Sequence, residues 1–283
     1  MYGMLNPFAQ EFVPYASSPA QPPDRGRGDC KPGRETKEDA RVAVWSEIER
    51  RNLVRFPRPV HGRIPNFLGC ERACDRLVCT SEFQAATRVK VHPSLNATQL
   101  RFEVLRHRKT LLTPPLPGNR FLYYLVDPQN VSEKKYQTAA TKRGFNKLGR
   151  RLNLAEIPKI DLVVVASVAV TAQGVRVGKG KGYGEVEYGI LREIGAVDEL
   201  TPVATVVHDV QVIETERLPL SAMSKHDLPV DIICTPTQTI RTCSEVPKPT
   251  GIYWDVITDE MLQDIQVLHE LKANVGENSP NLP

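Results

Sequence analysis

Asp161-Leu-Val-Val-Val-Ala-Ser-Val-Ala-Val170, followed three residues later by Gly174-Val-Arg-Val-Gly-Lys-Gly-Lys-Gly-Tyr-Gly-Glu-Val-Glu-Tyr188, is the stretch that decides how this chain folds. A continuous β-branched run has no polar side to show to water, which suits a strand covered on both faces. Gly178, Gly180, Gly182 and Gly184 let backbone N–H groups turn toward an anion without Cβ obstruction. Residues 185–194 read as a helix, whose N-terminus adds partial positive charge. Lys179 and Lys181 supply full charges. Strand, basic glycine loop and helix in that order predict a phosphate cradle and outweigh the plainer reading of a basic surface turn.

Outward from that centre the pattern alternates. Thr36-Lys37-Glu38-Asp39 starts a helix, with Thr36 as N-cap and acids in the first turn. Ala40, Val44, Trp45 and Ile48 recur at helical spacing, so the helix runs from Lys37 to about Asn52. Pro57, Pro59 and Pro65 make the next segment an extended loop. Helices are expected over 70–79, 98–107 and from Thr258 onward through Met261, Leu262, Ile265 and Leu268. Short strands are expected at 89–91, 110–113, 119–127, 203–207 and 231–234. The alternation predicts an α/β fold: three layers, Rossmann-like, around a largely parallel sheet. One domain is expected over 36–272. Residues 1–35, rich in proline, glycine and charge, read as a disordered tail, and 273–283 read the same way.

The chain has 283 residues, 41% hydrophobic and 25% charged, with a net charge of +4. That balance does not announce a nucleic-acid binder, so any such case rests on local clusters. No run of about eighteen apolar residues occurs, so no membrane span is expected. Six cysteines in a chain this long form no disulfide scaffold. Cys70, Cys74 and Cys79 lack a Cys-x-x-Cys pair and a following histidine at finger distance, so they read as packed thiols rather than zinc ligands. These features point to a reducing compartment, the cytosol.

The loop is neither a Walker loop, lacking Gly-x-x-x-x-Gly-Lys-Ser/Thr, nor the dinucleotide fingerprint, whose glycines are spaced differently. Lys181-Gly-Tyr-Gly-Glu-Val-Glu-Tyr188 fits the RNA-recognition signature at every constrained position but Glu185, where an aromatic should stack on a base. A carboxylate there would repel an RNA backbone, and no companion aromatic strand lies upstream.

Residues 174–185 resemble the Gly-Asn-Arg-Leu-Gly-Arg-Gly-Lys-Gly-Tyr-Tyr-Asp stretch of the 5-formyltetrahydrofolate cyclo-ligase family. Lys37-Glu-Asp-Ala-Arg41 is similar to that family's N-terminal Lys-x-x-Leu-Arg, and His226-Asp-Leu-Pro-Val-Asp231-Ile-Ile-Cys-Thr235 to its His-Asp-x-x-Val-Asp-x-Ile-x-Thr. The resemblance covers nearly all of 36–272 and implies a cyclo-ligase-type fold. It implies ATP and Mg²⁺ as cofactors and a folate as ligand: the formyl oxygen attacks the γ-phosphate, and ring closure gives methenyltetrahydrofolate, ADP and phosphate. Carried over, Lys37 and Arg41 would contact ATP from the first helix. Arg176, Gly178, Lys179, Gly180, Lys181, Gly182 and Tyr183 would cradle the triphosphate, with Lys181 and Tyr183 as the candidate catalytic pair. Glu185 and Asp231 would hold Mg²⁺.

The departures are specific. Gly184 replaces the second tyrosine, and Glu185 is longer than the aspartate it replaces. Near Ser94, where the family carries an acid that recognises the pterin, this sequence has none. The resemblance therefore implies a retained phosphate half, an eroded folate half, and weak or lost catalysis. Two alternatives stand beside it. One is an active ATP-dependent cyclo-ligase. The other is an RNA-binding protein, since full-length members of one branch carry a C-terminal RNA-recognition motif. Here RNA would meet Lys134, Lys135, Lys142, Arg143, Lys147, Arg150 and Arg151, a cluster suited to salt-dependent phosphate affinity.

Overall fold

The computed structural model describes residues 36–115 and 118–277. The expected N-terminal tail and residues 278–283 lie outside them. Along the chain come α1 (Lys37–Arg50), α2 (Cys70–Val78), α3 (Ser81–Ala85), β1 (Arg88–Val91), α4 (Thr98–Arg106), β2 (Thr110–Thr113), β3 (Tyr123–Val126), α5 (Tyr136–Ala139), α6 (Lys142–Leu148) and β4 (Arg150–Leu152). The second half contributes β5 (Leu162–Val165), β6 (Ala169–Thr171), β7 (Arg176–Val177), α7 (Tyr183–Glu193), β8 (Val203–Val206), β9 (Val212–Ile213), β10 (Ile232–Cys234), β11 (Thr239–Arg241), α8 (Asp259–Asp264) and α9 (Val267–Glu277).

Eight strands form the main sheet in the order β11-β10-β8-β5-β1-β2-β3-β4. The five central strands, β10 to β2, run parallel, and β11, β3 and β4 are antiparallel at the edges. Because side chains alternate across a strand, the sheet has two apolar faces. Val89, Val91, Leu111, Val164 and Val206 pack on one side with α1, α2 and α4. Leu112, Val163, Val165, Val203 and Ile233 pack on the other with α7 and α9. Both faces are covered, so the expected three-layer α/β architecture holds.

Three details differ from the reading of the sequence. The run 161–170 is not one strand: it breaks after Val165, and Ala169 restarts it in a second sheet, β7-β6-β9. Polar side chains secure the break. Gln211 Nε2 donates to the carbonyls of Ser167 and Val168 at 3.2 and 3.0 Å, and the Ser167 and Thr205 hydroxyls meet at 2.8 Å. The last helix is likewise two, because Ile265 (φ −120°, ψ 75°) leaves the helical region to form a β-bridge with Asn119. Finally, residues 273–277, read as tail, belong to α9. The start of α1 is as expected: the Thr36 hydroxyl accepts from Asp39 N at 3.1 Å while the Asp39 carboxylate accepts from Thr36 N at 2.9 Å.

Candidate functional site

A cavity of about 650 Å³ opens where β1, β2 and β5 end and the loop between β7 and α7 passes over them. In an open parallel sheet this carboxyl end is where ligands bind, and the volume suits a small-molecule site. The glycines make the loop's path possible. Gly180 and Gly182 have φ of 95° and 68°, a region open to few residues with a Cβ. Space is short as well: a Cβ on Gly180 would lie 3.2 Å from the Arg41 guanidinium, and one on Gly182 would lie 2.6 Å from the Met261 methyl. Gly182 is the N-cap of α7, so the free N–H groups of an eleven-residue helix begin at the loop.

The loop's lysines differ in environment. Lys179 is exposed at the mouth of the cavity it lines and has no hydrogen-bond or ion-pair partner among the described residues. Partial desolvation lowers its pKa, and the neighbouring Lys181 and Arg63 lower it further. Arg63 and Lys142 line the same cavity, also without a carboxylate among the described residues. Lys181 is exposed; its ammonium meets Glu260 at 2.7 Å and sits over the Tyr183 ring. The Tyr183 hydroxyl donates to Asp264, and burial followed by that carboxylate pushes its pKa up. Both acids belong to α8.

Several expected site residues have other duties. Arg41 Nε donates to the Gly178 carbonyl at 2.8 Å and so braces the loop, and the Lys37 ammonium is held by Asp227. Neither is among the cavity-lining residues. Arg176 does line the cavity, but it is buried with donors to Leu228 O, Ala166 O and the Glu185 carboxylate. The expected Glu185–Asp231 metal pair is corrected by the structure. Glu185 is neutralised by Arg176. Asp231 stands before β10, at the opposite end of the sheet from the cavity, with its carboxylate accepting from Val203 N at 2.7 Å and Lys248 Nζ at 2.8 Å. Among the described residues no group of three His, Cys, Asp or Glu is placed to hold a metal ion. Glu185 and Asp231 therefore do not form a shared ion site.

The cavity also contains polar residues that the sequence did not single out. Lys90 Nζ donates to Glu187 Oε2 at 2.7 Å, and both residues line the cavity. His92 follows directly after β1; burial, then Arg101, Lys90 and Arg176, push its pKa well below the usual range. Of the basic segment, Lys142 alone among the described residues lines the cavity; Arg150 pairs with Glu156 and Arg151 stacks over Phe121.

A model of the 5-formyltetrahydrofolate cyclo-ligase family matches residues 36–236. The chain belongs to that family. Methenyltetrahydrofolate synthase domain-containing protein of Bos taurus is 40% identical over 238 residues, covering 84% of this chain and 62% of its own. The Homo sapiens protein of the same name is 39% identical over 239 residues, with the same coverage. The chain thus spans about 62% of the length of these relatives. A solved 5,10-methenyltetrahydrofolate synthetase from Aquifex aeolicus aligns over 74% of this chain and 93% of its own, at 24% identity and a TM-score of 0.46. The family match ends at residue 236, so α8, with Glu260 and Asp264, lies outside it while touching the loop inside it. No helix among the described residues is long and apolar enough to cross a membrane.

Proposed function

We propose that this cyclo-ligase-family domain binds the phosphates of a nucleoside triphosphate, ATP in the family's chemistry, and turns over formyl-folate weakly or not at all. The observation that carries the reading is the trio Lys179, Arg63 and Lys142: three cations lining one cavity beside a helix N-terminus, without carboxylate partners among the described residues. Mutual repulsion and desolvation raise the free energy of such an arrangement, and a polyanion relieves both. Phosphate oxygens would meet Lys179 and the loop's N–H groups first. Five unpaired thiols among the described residues support a reducing compartment such as the cytosol.

Calorimetric titration with ATP tests the reading, and Lys179→Ala is the informative variant. Losing a charge-assisted contact to phosphate should weaken binding by about 1.5 kcal/mol, roughly tenfold. Lys181→Ala should cost less, because that ammonium is already paired with Glu260. Since the binding form of Lys179 is the ammonium and its pKa is lowered, ATP affinity should fall as pH rises through that lowered value, earlier than for an ordinary lysine. An unaltered affinity in folded Lys179→Ala contradicts the assignment.

The α8 acids compete for the same loop. Glu260→Gln should raise ATP affinity by about threefold at low salt and by less at high salt, as expected for an exposed ion pair. Asp259→Asn, on the same helix without a contact to the loop, is the control for net charge. Equal effects from the two variants would remove any special role for the Glu260–Lys181 pair.

A further inference from the structure

The C-terminal part of the chain reaches the glycine loop through one short helix. α8 presents Glu260 and Asp264, one turn apart, to the two loop side chains expected to carry chemistry. Glu260 meets the Lys181 ammonium at 2.7 Å, and Asp264 accepts from the Tyr183 hydroxyl. Both carboxylates act on that hydroxyl, so they converge on one spot of the loop. Between them, the Met261 methyl fills the space that a side chain on Gly182 would need. The hold of α8 on the core is slight by comparison. None of its six residues is fully buried, and only Met261, Leu262 and the flanking Ile265 pack partly buried against the core. The next helix, α9, sinks Val267, Leu268 and Leu271 into it. The joint between the two helices is Ile265, with φ −120° and ψ 75°. Gly118 N, donating to Asp264 O at 2.7 Å, and the Asn119 bridge pin that joint in place. Segments with few buried contacts open locally at low free energy, and element-terminal residues such as Ile265 are where hinges form.

We propose that α8 is an autoinhibitory latch: its two carboxylates hold the glycine loop in place of a ligand's phosphates, and α8 must swing off the loop about Ile265 before a polyphosphate binds. The charges give the sign. Phosphate oxygens seated on the loop would lie against Glu260 and Asp264, and like charges that close repel. Ligand and latch therefore exclude one another, so occupancy of the loop and the position of α8 are coupled. The contacts give the scale. The Lys181–Glu260 pair is exposed, and pairs of that kind contribute little, so the latch lowers affinity by about tenfold rather than abolishing binding. α8 lies beyond residue 236, outside the region that the family model matches. The inference rests on the reading of the loop as a phosphate site and adds a control to it.

The test is hydrogen exchange of the full chain, read by mass spectrometry over residues 259–264, with ATP as the probe. Saturating ATP should slow exchange in the glycine loop and speed it in α8 by about tenfold, while the buried part of α9 stays unchanged. Lys181→Met/Tyr183→Phe breaks the latch from the loop side and leaves the sequence of α8 intact. Its ligand-free chain should show the same faster exchange in α8. Glu260→Gln/Asp264→Asn breaks the latch from the other side and should bind ATP about tenfold more tightly in calorimetry. Asp255→Asn/Asp259→Asn removes the same charge away from the loop and should leave the affinity nearly unchanged. Slower exchange in α8 with ATP bound overturns the inference, because α8 would then close over the ligand. Unchanged exchange in the ligand-free loop variant overturns it too, as do equal affinities of the two acid variants. If ATP binds and α8 does not loosen, the latch alone falls. If ATP binds neither the unaltered chain nor Glu260→Gln/Asp264→Asn, the phosphate reading falls and the latch with it.

Discussion

Given Mg·ATP and 5-formyltetrahydrofolate, the purified chain should form methenyltetrahydrofolate at least about a hundredfold more slowly than an active family enzyme assayed alongside it. Phosphoryl transfer depends on alignment and on neutralising charge, and a displacement of about 1 Å can cost about a hundredfold in rate. The arrangement here is poor on both counts. Glu185 is engaged by Arg176, and Asp231 is at the far end of β10, so the protein offers no pair of carboxylates beside the loop from those positions. Lys181 and Tyr183, the residues expected to act on the reacting groups, are instead held by Glu260 and Asp264. Gly184 has no ring where the family motif has one, and a Cβ there would lie 3.5 Å from the Arg176 guanidinium. Absorbance of the methenyl product in a steady-state assay measures the rate. Robust Mg·ATP-dependent product formation, abolished by Lys181→Ala, would falsify the proposal of weak turnover.

Lys90→Met should lower the unfolding free energy by about 3–5 kcal/mol, the usual effect of leaving one member of a buried ion pair without its partner. The reason is desolvation. Glu187 is nearly buried, and removing the Lys90 ammonium leaves its carboxylate without a compensating charge. Replacing both residues by methionine should restore most of the loss, because neither charge then has to leave water and the volume beside Leu112 and Val163 remains filled. Urea unfolding of the single and double variants, with m-values compared, gives both numbers. A single variant no less stable than the double one would show that the pair is not electrostatically coupled.

How much of this was legible in advance follows from the range of the physics involved. The glycine loop was readable because its geometry is local: the positive φ at Gly180 and Gly182 and the start of α7 all arise within ten residues. The parallel α/β sheet was readable for a similar reason, since periodicity and β-branched runs are properties of neighbouring residues. The motif at 174–185 also carried the family; the match at 226–235 suggested Asp231 as a metal ligand, but its carboxylate is a local fastener between β8 and Lys248.

The sequence by itself determined the layer architecture, the strand–loop–helix cradle, the capped first helix and the family. Tertiary structure decided which charges face one another. Val89-Lys90-Val91 reads in isolation as a strand with one wet face, and only the parallel neighbours on both sides of β1 show that Lys90 is buried. Glu187 lies 97 residues from Lys90, and Glu260 lies 79 residues from Lys181. Burial and pairing of a charge depend on what packs against it across such separations, and a spacing rule confined to one helix or strand contains no term for that contact.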